Sequence, residues 1–349
     1  MIVGQTLNRR YHIIRFLGQG GFGETYLAED RNLPDNPPCV VKRFKPQSNE
    51  PSVLQIAQRL FKSESKVLHK LGKHDRIPQL LAKFDENQEF YLVQELIVGH
   101  DLSHELNPPH QMGARGVQFS ESQVIELLYD ILEVLQFVHR HNIVHRDIKP
   151  SNLMRRDADG KIILIDFGAV KQISSQLNHA TGQPPTVPIG TEGYMPNEQE
   201  KGHPKLCSDI YAVGMVGIQA LTGLFPHELP KDSQTLEVIW RDRVSVSPKL
   251  ADILDNMVRY QWQQRYQSAD AALQAIKPLA VSSVSPTVVS PAPSWPSLNL
   301  PKIPKVLIGL VALGFVTLTV IFVVQNYPQF MRILSYPQPT AAPRKKGIF

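Results

Sequence analysis

The sequence predicts an α+β domain over residues 1–277, followed by a linker and a single apolar helix. Three observations lead there. Strand-like runs flank a glycine cluster near the N-terminus, helix-like apolar periodicity takes over in the middle of the chain, and the composition changes abruptly at Pro278. With 42% hydrophobic and 20% charged side chains among 349 residues, a substantial core is affordable. The net charge of +5 is scattered along the chain and forms no basic stripe, so nucleic acid is not an expected partner. Cys39 and Cys207 stand far apart and read as free thiols of a reducing compartment. Polar and basic residues (Asn8, Arg9, Arg10) follow the first few without a signal-peptide pattern, so the N-terminus is expected in the cytosol.

The first element is the run Leu17-Gly18-Gln19-Gly20-Gly21-Phe22-Gly23. Its G-x-G-x-x-G spacing alone also suits a dinucleotide-binding loop, which would open a helix. Here Glu24-Thr25-Tyr26-Leu27-Ala28-Glu29 follows, rich in β-branched and aromatic residues, so the glycines sit at the tip of a β-hairpin. Missing side chains there let backbone amides approach phosphate oxygens. Next, Cys39-Val40-Val41-Lys42 reads as a buried strand delivering one ammonium. A lone lysine at a strand end is ordinarily just solvated, so Lys42 gains weight only from its companions. Residues 53–71 have helical spacing, with apolar Leu54, Ala57, Leu60, Phe61, Val67, Leu68 and Leu71. Glu64 lies on this helix; in isolation it would be an ordinary surface glutamate.

The most specific signal follows a second helical pattern (Ile131, Leu132, Val134, Leu135, Phe137, Val138). It is His145-Arg146-Asp147-Ile148-Lys149-Pro150-Ser151-Asn152-Leu153, then a strand-like 161–165 and Asp166-Phe167-Gly168. Phosphoryl transfer asks a protein mainly to position groups and neutralise charge. Asp147 is a carboxylate suited to accept the proton of an attacking hydroxyl, and Lys149 can balance charge on the transferred group. Asn152 and Asp166 offer the hard oxygen ligands that magnesium prefers.

Together these motifs resemble the eukaryotic-type serine/threonine protein kinases, and in particular the membrane-anchored kinases of cyanobacteria, over about residues 11–277. The resemblance implies a bilobal fold. A small antiparallel-sheet lobe (about 1–95) would carry the glycine turn, Lys42 and Glu64, and a mainly helical lobe (about 98–277) would carry Asp147, Asn152 and Asp166. It implies ATP and Mg2+ as cofactors and protein substrates with Ser/Thr acceptors. Leu17 to Gly23, Thr25, Val40, Lys42, Glu95 and Ile97 would hold the nucleotide, with Gln94 beside the adenine. Glu64 would partner Lys42, and Asn152 and Asp166 would bind the metal. Lys149 is similar to the serine/threonine subclass. Gly190-Thr191-Glu192-Gly193-Tyr194 resembles the segment that receives the substrate. Asp209 is similar to the buried aspartate supporting the catalytic loop, and Arg265 to the arginine that pairs with Glu198.

Three positions depart from the family pattern. Val40 replaces the usual alanine above adenine, Thr25 replaces a valine, and Pro196-Asn197-Glu198 keeps the glutamate of Ala-Pro-Glu but moves the proline. No catalytic or metal-binding position is lost. That weighs against the alternative of a membrane-tethered nucleotide-binding pseudokinase scaffold. The peptide-receiving stretch weighs against a small-molecule phosphotransferase. Arg146 beside Asp147 suggests control by phosphate on residues 166–198, which offer Ser174, Ser175, Thr181, Thr186 and Thr191; Thr181 and Thr186 are the favoured autophosphorylation sites.

Beyond the domain, residues 278–304 are rich in proline and serine and read as an extended linker. Residues 306–324 carry no charge; as a helix they would extend about 28 Å, close to a bilayer core, so 305–325 reads as a transmembrane helix. Flanking charge leaves its orientation open, with Lys302 and Lys305 before it and Arg332, Arg344, Lys345 and Lys346 after it. An ATP-consuming domain needs the cytoplasmic side, which places residues 326–349 outside as a short tail on a single-pass cell-membrane protein. Gly309 and Gly314 are not four apart, so homodimerisation through this helix has no support in its spacing.

Overall fold

The computed structural model describes residues 2–20, 23–44, 51–72, 74–107, 116–167 and 193–283. All fall within one compact unit, Met1–Ser285. Gly21, Phe22, the candidate phosphosites Ser174, Ser175, Thr181, Thr186 and Thr191, and residues 284–349 with the proposed membrane span and tail lie outside the described residues. Among the described residues no helix is long and apolar enough to cross a membrane.

The chain folds into two lobes. The small lobe is built on β1 (Thr6–Leu7), β2 (Tyr11–Gly20), β3 (Gly23–Asp30), β4 (Pro38–Phe44), β5 (Leu80–Glu86) and β6 (Glu89–Glu95), with helix α1 (Pro51–Leu71) between β4 and β5. The sheet is antiparallel in the order β1-β2-β3-β4-β6-β5. Alternation along its strands separates two environments. Tyr26, Ala28, Cys39, Val41, Tyr91 and Val93 fill an outer core. Phe44, Phe90 and Leu92 point the other way, into a core shared with Phe61 and Leu68 of α1 and with the large lobe. β6 serves both cores, which explains why Phe90 to Gln94 are all buried instead of alternating with exposed residues.

The large lobe follows β7 (Gly99–Asp101). Helix α2 (Leu102–Leu106) starts where the Asp101 side chain accepts from the Ser103 amide. Helix α3 (Glu121–Arg140) starts with a reciprocal cap between Ser120 and Gln123. Strand β8 (Leu153–Arg156) pairs with both β7 and β9 (Ile162–Leu164) in a small antiparallel sheet. Helices α4 (Asn197–Glu200), α5 (Leu206–Thr222), α6 (Pro248–Val258) and α7 (Ala269–Ser283) complete the lobe. In α5 all residues but Leu206 are buried, as expected of a helix that is apolar all round. Helix α7 runs past Lys277, where the sequence suggests an extended linker, and holds Pro278 in its interior. Leu279 and Ala280 pack on the main core beyond that proline. Their partial burial opposes the roughly 3 kcal/mol that an interior proline costs a helix.

Candidate active site

Antiparallel register places Thr25 opposite Lys42, Lys42 opposite Leu92, and Val40 opposite Gln94. Because Tyr26, Val41 and Val93 fill the outer core, alternation turns Thr25, Val40, Lys42 and Gln94 to the face shared with the large lobe. On either side of Gly21 and Phe22, β2 and β3 pair antiparallel as the hairpin reading expects, with Gly20 opposite Gly23. The glycines of this run serve different needs. A Cβ on Gly23 would lie 2.2 Å from the Arg43 carbonyl oxygen, so this glycine is required by the packing of β3 on β4. A Cβ on Gly18 would meet nothing within 4 Å. Leu17 and Gln19 are exposed near the end of β2. Where the lobes join, Gln94 is buried and the Glu95 amide donates to the Gln79 carbonyl at 2.9 Å. Neither backbone group of Ile97 makes a hydrogen bond among the described residues.

Lys42 Nζ donates to Asp166 Oδ1 at 2.9 Å and stands 3.9 Å from Glu64 Oε1. The expected Lys42–Glu64 pair is therefore within ion-pair distance, while the hydrogen bond goes to Asp166. Glu64 is 1% exposed and neither of its oxygens accepts a hydrogen bond. Burial raises its pKa to about 7 against the opposing pull of the Lys42 ammonium. Burial also works against the charge on Lys42, but Asp166 and Glu64 outweigh it and its pKa lies above the ordinary value. Asp166 is held below the usual carboxylate range, chiefly by the Lys42 charge.

After α3 the chain runs extended into a single 3-10 turn at Pro150–Asn152. Asn152 Nδ2 donates to the Asp147 carbonyl at 2.8 Å and to Asp147 Oδ2 at 2.9 Å, while Lys149 Nζ lies 3.3 Å from the same Oδ2. Asp209, in the first turn of α5, accepts from the amides of His145 (2.8 Å) and Arg146 (2.9 Å) and pairs with His139 Nε2 at 3.0 Å. His139 Nδ1 accepts from the Ala269 amide at 3.1 Å, so its proton is on Nε2 and points at Asp209. These bonds support Arg146 in a left-handed conformation, φ 71°. His145 is driven neutral by burial. Its Nδ1 accepts from the Asp147 amide at 3.3 Å, which leaves Nε2 to donate to the Ile165 carbonyl at 3.0 Å. The same ring packs 4.6 Å from Phe167. One histidine thus joins the segment carrying Asp147 to the segment carrying Asp166.

Glu198 and Arg265 form a bidentate pair at 2.7 and 3.2 Å. The shifted proline is harmless to it, because Pro196 caps the short helix α4 and leaves Glu198 facing inward. Tyr194 donates to Gln219 on α5, and Gln199 Nε2 donates to the Arg146 carbonyl at 2.6 Å. Sequence reasoning missed Gln199 and Gln219, and also the cluster of Arg76, Asp130 and Glu133. Their partners lie 25 to 57 residues away, and no local pattern marks them.

Residues 11–276 match the protein kinase domain model. The chain belongs to the protein kinase family. It is 42% identical over 287 residues to serine/threonine-protein kinase PknA of Nostoc sp., covering 81% of this chain and 50% of that protein. It is 44% identical over 274 residues to serine/threonine-protein kinase C of Synechocystis sp., covering 78% and 50%. The chain thus spans about half the length of these curated relatives. Among solved structures, the apo form of PpkA-294 superposes with a TM-score of 0.61 at 22% identity, covering 79% of this chain and 99% of that one. The Mycobacterium tuberculosis PknI kinase domain gives 0.59 at 19%, covering 80% and 99%. At that identity the two structures speak for the bilobal fold.

Proposed function

We propose that this kinase domain transfers the terminal phosphoryl group of ATP to Ser and Thr hydroxyls of proteins. The observation that carries the reading is Asp147, a carboxylate 9% exposed and fixed at Oδ2 by Asn152 and Lys149. An acceptor hydroxyl held at Asp147 can pass its proton to the carboxylate as the bond to phosphorus forms. Lys149 then balances charge on the moving group, and Lys42, steadied by Asp166 and Glu64, faces the phosphates. Thr25, Val40, the glycine turn and the backbone of Glu95 and Ile97 bind the nucleotide.

The residues fit magnesium. Asn152 uses its Nδ2 on Asp147, which leaves Oδ1 as its ligand atom, and Asp166 is ionised with its side chain 48% exposed. Among the described residues no group of three or more His, Cys, Asp or Glu could hold a metal without further ligands. Two protein ligands completed by phosphate oxygens and water is the usual arrangement for this ion. Bound magnesium supplies neutralisation of phosphate charge and nothing that the residues above replace.

Ser/Thr acceptors are supported by Lys149 and by the names of the relatives. The uncharged segment 306–324 supports a single-pass membrane anchor, the need for ATP supports a cytoplasmic kinase domain, and Arg146 supports autophosphorylation at Thr181 or Thr186. The test is transfer of labelled phosphate from ATP with Mg2+ by the full chain, on itself and on a generic basic protein, beside Asp147→Asn. Transfer by the parent and a loss of about 1,000-fold or more in the variant is expected. ATP binding by both without transfer by either would favour a scaffold. Mapping the label tests Thr181 and Thr186, and retention of the chain in washed membranes tests the anchor.

A further inference from the structure

Arg76 lies in the turn between α1 and β5 and is 4% exposed. Its Nη1 donates to the Asp130 carbonyl at 3.2 Å and to Asp130 Oδ1, and its Nη2 donates to Glu133 Oε2 at 2.5 Å. Both acids are on α3. The Arg76 carbonyl accepts from the Leu164 amide at 3.0 Å, and the second oxygen of Asp130 accepts from the Ile162 amide at 2.6 Å. Arg76 and Asp130 therefore join three segments: α1 with Glu64, α3 leading into the loop of Asp147, and β9 leading into Asp166. No other polar cluster among the described residues reaches all three.

Contacts around Arg76 reinforce the same joint. Lys70 Nζ donates to the His141 carbonyl at 3.1 Å, the His74 ring lies 4.3 Å from Phe137, and Arg156 Nη2 pairs with Asp75 at 3.0 Å. All of them hold the C-terminal end of α1. From Leu71 back to Glu64 is about 10 Å along the helix axis. A tilt of about 10° at the anchored end would then move the Glu64 carboxyl by about 2 Å, enough to separate a pair that stands at 3.9 Å.

We propose that Arg76 is a positioning residue for phosphate transfer: by joining α1 to α3 and β9 it sets the spacing of Glu64, Asp147 and Asp166. The inference rests on the kinase reading above. It requires a planar fork, because one ammonium cannot hold Asp130 and Glu133 together in this geometry. It leaves the adenine-facing residues untouched, so its signature is a loss in kcat with little change in KM for ATP.

The experiment compares the full chain with Arg76→Lys, Glu133→Gln and a control, Arg10→Lys. The control breaks a similar fork, Arg10 on Asp30 at 2.7 and 2.6 Å, in the outer part of the small lobe. Arg76→Lys should lower kcat by about 10-fold to 100-fold with KM for ATP within about 3-fold, as a misplacement of an ångström or more would. Glu133→Gln, which removes the charge from one arm of the fork at a half-exposed acid, should lower kcat by about 3-fold. Arg10→Lys should leave kcat unchanged even where it lowers thermal stability. An active parent with kcat preserved in Arg76→Lys, or lowered equally in Arg10→Lys, overturns this inference alone. Should Arg76→Lys fail to fold, an unchanged kcat in Glu133→Gln overturns it. A parent that transfers no phosphate overturns the kinase reading and this inference together.

Discussion

Asp209 and Glu64 are both carboxylates with 1% exposure, one below the catalytic loop and one beside Lys42, and their surroundings are opposite. Asp209 accepts from two amides and faces the His139 Nε2 proton, so its burial is compensated by hydrogen bonds. Glu64 accepts none, and the ammonium of Lys42 stands 3.9 Å away. Equal burial therefore yields a fixed support in one place and an adjustable contact in the other. The catalytic loop is over-determined; the Lys42 corner is poised, with Glu64 at a pKa of about 7.

The largest effect should come from breaking the fixed side. Asp209→Ala leaves the amides of His145 and Arg146 and the His139 ring without their acceptor. At about 1–3 kcal/mol for each stranded group, denaturant unfolding should show a loss on the order of 5 kcal/mol, with phosphate transfer abolished. Asp209→Asn retains an acceptor oxygen and should lose about half as much. Equal stability of Asp209→Ala and the parent would show that the loop is held by other contacts.

The two sides also differed in how far they could be read from sequence. The loop is a contiguous run from His145 to Leu153, and Asp209 and the Glu198–Arg265 pair follow from resemblance, so the loop was legible. The hairpin was legible because β-branched and aromatic residues follow the glycines. What sequence could not provide was distance: that Lys42 bonds Asp166 while Glu64 stays 3.9 Å off depends on how α1 sits on the large lobe. Nor could it reveal Arg76, whose acids on α3 look like any polar face of an amphipathic helix. The end of the last helix was not legible, because Pro278 signals a break whereas tertiary packing carries α7 on to Ser283.

An intermediate effect is expected within the glycine turn. Gly23→Ala would set a methyl 2.2 Å from a backbone oxygen that cannot move aside, while Gly18→Ala would meet open space. Thermal or denaturant unfolding should show about 3 kcal/mol lost at Gly23 and less than about 0.5 kcal/mol at Gly18. Equal losses would mean that the strand register of β3 on β4 does not need Gly23.

A change of opposite sign, and the most telling one, belongs to Glu64→Gln. Burial raises the Glu64 pKa from 4.5 to about 7, so its carboxyl contributes its full share of stability below about 4.5 and loses it as pH rises through about 7. Above that pH the parent carries a penalty on the order of 3 kcal/mol that Glu64→Gln lacks, and the variant should be the more stable protein there. Activity should run the other way, because the ionised form is the one that steadies Lys42.

The measurement that tests this most directly is kcat for phosphate transfer against pH, for the parent and Glu64→Gln side by side. The parent should rise through a limb near pH 7, and the variant should be slower above it with that limb missing. Superimposable profiles would contradict the account and place the control of Lys42 elsewhere.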